Sequence, residues 1–189
     1  SNSHNTIIIL LTWFSMFGTS LGTAIELGEL GNDVFANSTL YLLFESIGCY
    51  SCRYFLPRFH YSSIIMNLLK VMAALQLSFI LYSQSYWELF LILVLLMKLL
   101  CDSLATSVIV NLTHFFPKSF LSKIVGASQL LTRFSGIFMA RAFTLSKLEL
   151  GIHPFFFMGL ITCINLKMFA KLKEYFGNNS KYMTELTEC

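Results

Sequence analysis

The stretch Gly22-Thr23-Ala24-Ile25-Glu26-Leu27-Gly28-Glu29-Leu30-Gly31-Asn32-Asp33-Val34-Phe35-Ala36-Asn37, followed by an apolar run that holds one acid, Glu45, decides the reading of this chain. Nearly everything on either side of it is long apolar sequence. Hydrophobic residues make up 56% of the chain and charged ones 12%, where a soluble domain has roughly 45–50% and about 25%. With a mean hydropathy of +0.67, this mixture predicts an integral membrane protein.

About six stretches are long enough to cross a bilayer: residues 6–25, 34–52, 62–82, 87–112, 120–145 and 153–172. Each is close to the ~20 residues needed to span a ~30 Å hydrocarbon core at ~1.5 Å of rise per residue. An unsatisfied backbone amide in lipid costs several kcal/mol, and the two-residue alternation of a barrel is absent, so the spans are expected to be helices. The expected fold is an all-α membrane protein, with a six-helix transmembrane bundle over residues 1–175 and a polar tail over 176–189.

The connectors alternate in charge. The first loop holds Glu26, Glu29 and Asp33 and no base, the second holds Arg53, Arg58 and His60, and the third has Glu88. Lys118 and Lys123 mark the fourth, Lys147 is balanced by Glu149 in the fifth, and the tail carries Lys167, Lys171, Lys173 and Lys181. The positive-inside rule then places the even loops and both termini on the cytoplasmic side or its organellar equivalent, in a plasma membrane or a mitochondrial inner membrane. The net charge of +3 thus reports topology and not nucleic-acid binding. The start, Ser1 to Asn5, lacks the basic region of a cleavable signal and does not begin with Met, so a trimmed or truncated chain is expected.

Cys49 and Cys52 stand at metal-like spacing, but no second Cys or His pair accompanies them. With Cys101, Cys163 and Cys189 they read as small polarizable packing residues, and no metal or cofactor is expected. Of the sequons at Asn37, Asn111 and Asn178, only Asn37 falls where a glycan could be added.

Charged residues inside the spans are Glu45, Lys70, Lys98, Asp102, Arg133 and Arg141. A charge at the bilayer centre costs about 2.5–3.5 kcal/mol on insertion scales, so such groups are expected to face the bundle interior and to have partners. Lys98 and Asp102 are four apart, on one helical face, and can neutralise each other. Two readings stand: a structural ion pair that locks neighbouring helices, or a polar cavity lined by Glu45, Lys98, Asp102 and Arg133 that takes an ionic solute or a proton. Lys70 can extend its stem toward the inner surface. Gly18 and Gly22, and the series Gly126, Ser128, Ser135, Gly136 and Ala140, are expected packing surfaces. Trp13, Tyr82, Tyr86, Trp87 and Phe155 to Phe157 fall near span ends and read mostly as an interfacial belt.

In order and spacing these residues resemble the C-terminal six-helix half of a major facilitator superfamily transporter of the organic cation and organic anion branch. Trp13-Phe14 followed by Gly22, then Leu30-Gly31-Asn32-Asp33-x-Phe35-x-Asn37, is similar to that family's seventh helix and following loop. Glu45 falls where its eighth helix carries a glutamate, and Phe115-Phe116-Pro117-Lys118 takes the place of its Glu-Leu-[Phe/Tyr]-Pro-Thr motif. Gly126-x6-Arg133-x-Ser135-Gly136-Ile137-x-x-Ala140 resembles helix eleven, with Arg133 where anion carriers commonly have arginine and cation carriers aspartate. Lys98 lies within about one residue of a position that is often basic in the family. The resemblance covers about residues 6–175.

What it implies is alternating access, in which two six-helix bundles rock about a midplane site. Only one bundle is in this sequence, so the expected partners are the lipid bilayer and either an N-terminal six-helix half, in the same or a separate chain, or a multi-subunit membrane complex. Several family features are replaced: the Asp-x-x-Gly-Arg-Arg gate by Arg53-Tyr54-Phe55-Leu56-Pro57-Arg58, a glutamate by His114, a proline by Arg141, and paired tyrosines by Ser20 and Leu21. These losses point to a relaxed constraint on the transport cycle. Two functions follow as expectations: a secondary carrier of organic ions, with Arg133 and Lys98 pairing an anionic group and Glu45 or Asp102 as charge partner or proton site, or a transport-inactive subunit of a larger assembly such as a respiratory complex or channel. No nucleophile, base and orienting group, and no phosphate loop, stand together, so an enzyme is not expected.

Overall fold

Long apolar runs without internal proline, punctuated by Pro57 and Pro117 in the connectors and Pro154, favour separate long helices. The computed structural model describes residues 2–29, 34–55, 61–79, 87–110, 112, 118–145 and 153–187. Among them are six helices and no strand: α1 (Asn2–Glu29), α2 (Val34–Phe55), α3 (Tyr61–Ser78), α4 (Trp87–Val110), α5 (Lys118–Leu145) and α6 (Pro154–Thr187). Each expected span coincides with one helix, and α6 runs on through the stretch set off above as a polar tail. The Leu30-Gly31-Asn32-Asp33 motif, Arg58, His60, Tyr82, Tyr86, Asn111, His114, Phe115 to Pro117, Lys147 and Glu149 lie outside the described residues. So do the side chains of Glu29, Arg53, Trp87, Glu88, Lys118, Lys171, Lys173, Asn178, Lys181 and Cys189.

Two helices among the described residues, over Thr6–Gly28 and Leu89–Val110, are long and apolar enough to cross a membrane, and Ser63–Ser78 and Pro154–Ala170 are apolar but shorter. In α2 the apolar run is broken by Asn37 and Glu45, and in α5 by Lys123, Arg133 and Arg141.

Helix α1 is the centre of the bundle, packed on α2, α4, α5 and α6; α4 also meets α2 and α3, α3 meets α6, and α5 rests chiefly on α1. One apolar cluster gathers Ile8, Trp13, Met72, Leu104 and Phe169, and a second gathers Leu27, Phe79, Phe90, Met139 and Phe155. Trp13 and Phe155 are therefore core residues and not part of an interfacial belt, because their faces of α1 and α6 turn onto neighbouring helices.

The Gly18 and Gly22 pair works as a packing surface: an added Cβ would come 2.6 Å from Met158 Cε at Gly18 and 2.6 Å from Met139 Cε at Gly22. On α5 only part of the small-residue series is packed. Ser128 and Ser135 are buried and Gly136 meets Leu21, whereas Ala140 is exposed and nothing approaches Gly126 within 4 Å. Among the described glycines the closest approach of another backbone is at Gly48, where a Cβ would lie 2.6 Å from the Leu99 carbonyl oxygen and 3.2 Å from Asp102 Cβ. This contact brings α2 against α4.

Polar side chains share the interior with the apolar core, and large apolar side chains share the outer surface. Thr12, Thr19, Gln76, Ser107, Thr162 and Asn165 are fully buried, while Phe35, Leu42, Leu130, Phe134, Ile137 and Ile164 are exposed. Several buried hydroxyls bond to their own helix: Thr12 donates to the Ile8 carbonyl at 2.8 Å, Thr19 to the Ser15 carbonyl at 2.6 Å, and Ser128 to the Ile124 carbonyl at 2.7 Å. Between helices, Gln76 Nε2 donates to Thr19 Oγ1 at 2.6 Å, Thr162 Oγ1 to Gln76 Oε1 at 2.8 Å, and Asn165 Nδ2 to Thr12 Oγ1 at 2.9 Å. These bonds join α1, α3 and α6 through their buried faces.

Candidate functional site

Lys98 and Asp102 lie one turn apart on α4, and Glu45 lies three residues before Gly48 on α2. Since Gly48 lets the two backbones meet, the next turn of α2 carries Glu45 up to Lys98. Its Nζ lies 2.9 Å from Glu45 Oε2 and 3.1 Å from Asp102 Oδ2. The Oδ2 contact is off the line of a hydrogen bond, and Nζ donates to Oδ1 at 3.2 Å. A further donation goes to Ser20 Oγ of α1 at 3.1 Å. Tyr41, one turn before Glu45, lays its ring 4.2 Å from Nζ and donates its hydroxyl to the Ser20 carbonyl at 3.3 Å.

Three helices thus hold one cation between two acids. Their exposure is graded: the Lys98 side chain is 4% exposed, Asp102 15% and Glu45 43%. Glu45 is the member an approaching ion meets first. An anion must displace a carboxylate to reach Lys98, whereas a cation or proton needs only to reach Glu45.

Three of the four site residues read from the sequence come together. Arg133 does not. It lies on the exposed face of α5, and no ion pair among the described residues ties it to the Lys98 group. The reason is helical phase: α5 turns Ser135 and Met139 inward, and Arg133, two residues from Ser135, is rotated by ~200°. Lys70 and Arg141 are likewise exposed. Asn37, the one sequon left open, is half-buried and donates Nδ2 to the Leu27 carbonyl at 3.1 Å, so the nitrogen that would carry a glycan is already engaged.

A second polar contact escaped the sequence reading. Glu26, assigned there to the first loop, is a buried residue of α1, with its Oε1 3.1 Å from His153 Nε2. His153 precedes Pro154 at the start of α6, and its Nδ1 accepts the Phe155 N–H at 3.4 Å, as a helix cap does. With Nδ1 accepting, Nε2 carries the hydrogen donated to Glu26. Phe79 and Phe155 surround the imidazole, with ring centroids at 4.9 and 5.0 Å. The signal available in sequence was the His-Pro start of a helix, which marks a cap but names no partner.

No protein-family model matches the chain, and no curated protein matches it significantly.

Proposed function

We propose that this chain is a multi-pass membrane bundle that forms one half of a secondary carrier of organic ions, of the major facilitator type, with Lys98, Glu45 and Asp102 in the ion pathway. The observation that carries the reading is the buried Lys98 held between acids from two helices, one of which, Glu45, remains 43% exposed. Ionised groups at such depth mark ion pathways more than folding needs, because each is costly to bury. The membrane setting is supported by the two long apolar helices and by large apolar side chains on the outside, with hydroxyls and amides among the buried residues. In this reading a second six-helix half supplies the opposing wall, and both termini lie on the cytoplasmic-equivalent side. The test is uptake of labelled organic cations and anions into vesicles bearing the full-length protein. Glu45→Gln and Lys98→Ala are expected to abolish uptake; unchanged uptake in both refutes the pathway.

One set of observations favours a transport-inactive structural subunit instead. Lys98 already has both acids as partners, which pins α2 to α4, and apolar side chains such as Phe35, Leu42, Leu130 and Ile137 form uncovered surface on α2 and α5. That reading requires co-purification with a stoichiometric complex in mild detergent, and a free monomer contradicts it.

A further inference from the structure

The Lys98 group occupies one part of the α2–α4 contact. One turn beyond Gly48 along α2, and round the side of α4 from Lys98, lies a cavity of about 350 Å³ shared with α3. This is at the small end of the ~300–1,000 Å³ range of ligand pockets. None of its lining side chains is charged, so an ion would enter without a counter-charge.

The polar part of the wall has a definite sense. Ser51 Oγ and Ser103 Oγ both donate to the Gly48 carbonyl, at 2.9 and 3.0 Å, and Cys52 Sγ donates to the Ser103 carbonyl at 2.8 Å. Their hydrogens are spent within the protein, while the serine oxygens keep lone pairs that can accept. Opposite them, Asn67 of α3 offers an amide on the exposed side of the cavity. Ser63 of α3 also lines it, and the rest is hydrocarbon from Ile64, Leu68, Leu99 and Leu100. An uncharged, mainly apolar wall with acceptor oxygens at Ser51 and Ser103 and an amide at its open side complements an uncharged, mainly apolar molecule with a hydroxyl.

We propose that this cavity binds a neutral, mainly apolar alcohol, whose hydroxyl donates to Ser51 or Ser103 and whose hydrocarbon lies between Leu68 and Leu99. The inference is independent of the carrier reading, since it uses neither the ion cluster nor a second half.

The test is photolabelling of the full chain, in vesicles, with a diazirine-bearing eight-carbon alcohol and, separately, a photoreactive sterol, followed by peptide mapping. Expected is saturable labelling of the peptides around Asn67 and Leu99 to Ser103, competed by octanol and not by octylammonium. Labelling by the sterol as well identifies bilayer lipid as the source; labelling by the short alcohol alone identifies a small solute. Leu68→Trp, which fills the cavity, is expected to reduce the signal at least tenfold. Asn67→Leu, at an exposed position with less risk to folding, is expected to reduce it severalfold. The proposal is overturned if labelling does not saturate, spreads over the outer helix faces, is competed equally by octylammonium, or persists in both variants.

Discussion

Replacing Lys98 with methionine keeps an unbranched stem and removes only the charge. In the intact site Nζ is 2.9 Å from Glu45 Oε2, 3.1 Å from Asp102 Oδ2 and 3.1 Å from Ser20 Oγ. After the substitution Glu45, 43% exposed, can turn outward, but Asp102, 15% exposed, is left as a mostly buried charge without its cation. Removing one partner of a buried pair costs ~3–5 kcal/mol. At roughly 2–4 °C per kcal/mol for a chain of this size, the unfolding midpoint is expected to fall by about 6–20 °C. Adding Asp102→Asn removes the stranded charge and is expected to recover most of the loss, while Glu45→Gln alone shifts stability by less than ~1 kcal/mol, as for an open ion pair. Thermal unfolding in mild detergent, followed by tryptophan fluorescence, measures all four proteins. If Lys98→Met melts with the wild type, or the double variant is weaker than Lys98→Met, the buried Lys98–Asp102 pair does not contribute the stability assigned to it.

Further expectations concern other contacts. Gly48→Val drives a side chain into the Leu99 carbonyl, 2.6 Å from the new Cβ, and is expected to destabilise by ~1–3 kcal/mol as an overpacked contact does; Gly28→Ala, with nothing within 4 Å, serves as the control that melts no lower than wild type. His153→Phe keeps the ring packing on Phe79 and Phe155 but strands Glu26, 10% exposed, so the melting temperature is expected to drop and to recover in His153→Phe/Glu26→Leu. Arg133→Ala, on the exposed face of α5, is expected to leave stability within about 0.5 kcal/mol; a larger loss shows that Arg133 has a structural partner.

The lengths of the apolar runs made the six helices among the described residues legible, because long apolar stretches without internal proline or two-residue alternation favour helix. Lys98 and Asp102 were legible for the same kind of reason: a four-residue spacing puts two side chains on one face whatever the tertiary fold. Gly48 was not, since a glycine within a helix says nothing about which backbone will approach it. Glu26 and His153 were hidden by sequence separation, and Glu26 also by its place near a helix end, where counting charges assigned it to a connector. Arg133 was misplaced because α5 packs chiefly on one neighbour, which leaves most of its circumference open and makes a charge there no guide to the interior.

Sidedness of the connectors is the most direct measurement of the six-span reading. Single cysteines at Gly31, Arg58, Gln84, Phe116, Glu149 and Ser180, in an otherwise cysteine-free chain, report their side by reaction with an impermeant maleimide in sealed vesicles. Six crossings require positions 31, 84 and 149 on one face and positions 58, 116 and 180 on the other. Should 31, 58 and 84 share one face and 116, 149 and 180 the opposite one, only the helices over Thr6–Gly28 and Leu89–Val110 cross, and the six-span bundle with its ion pathway is wrong.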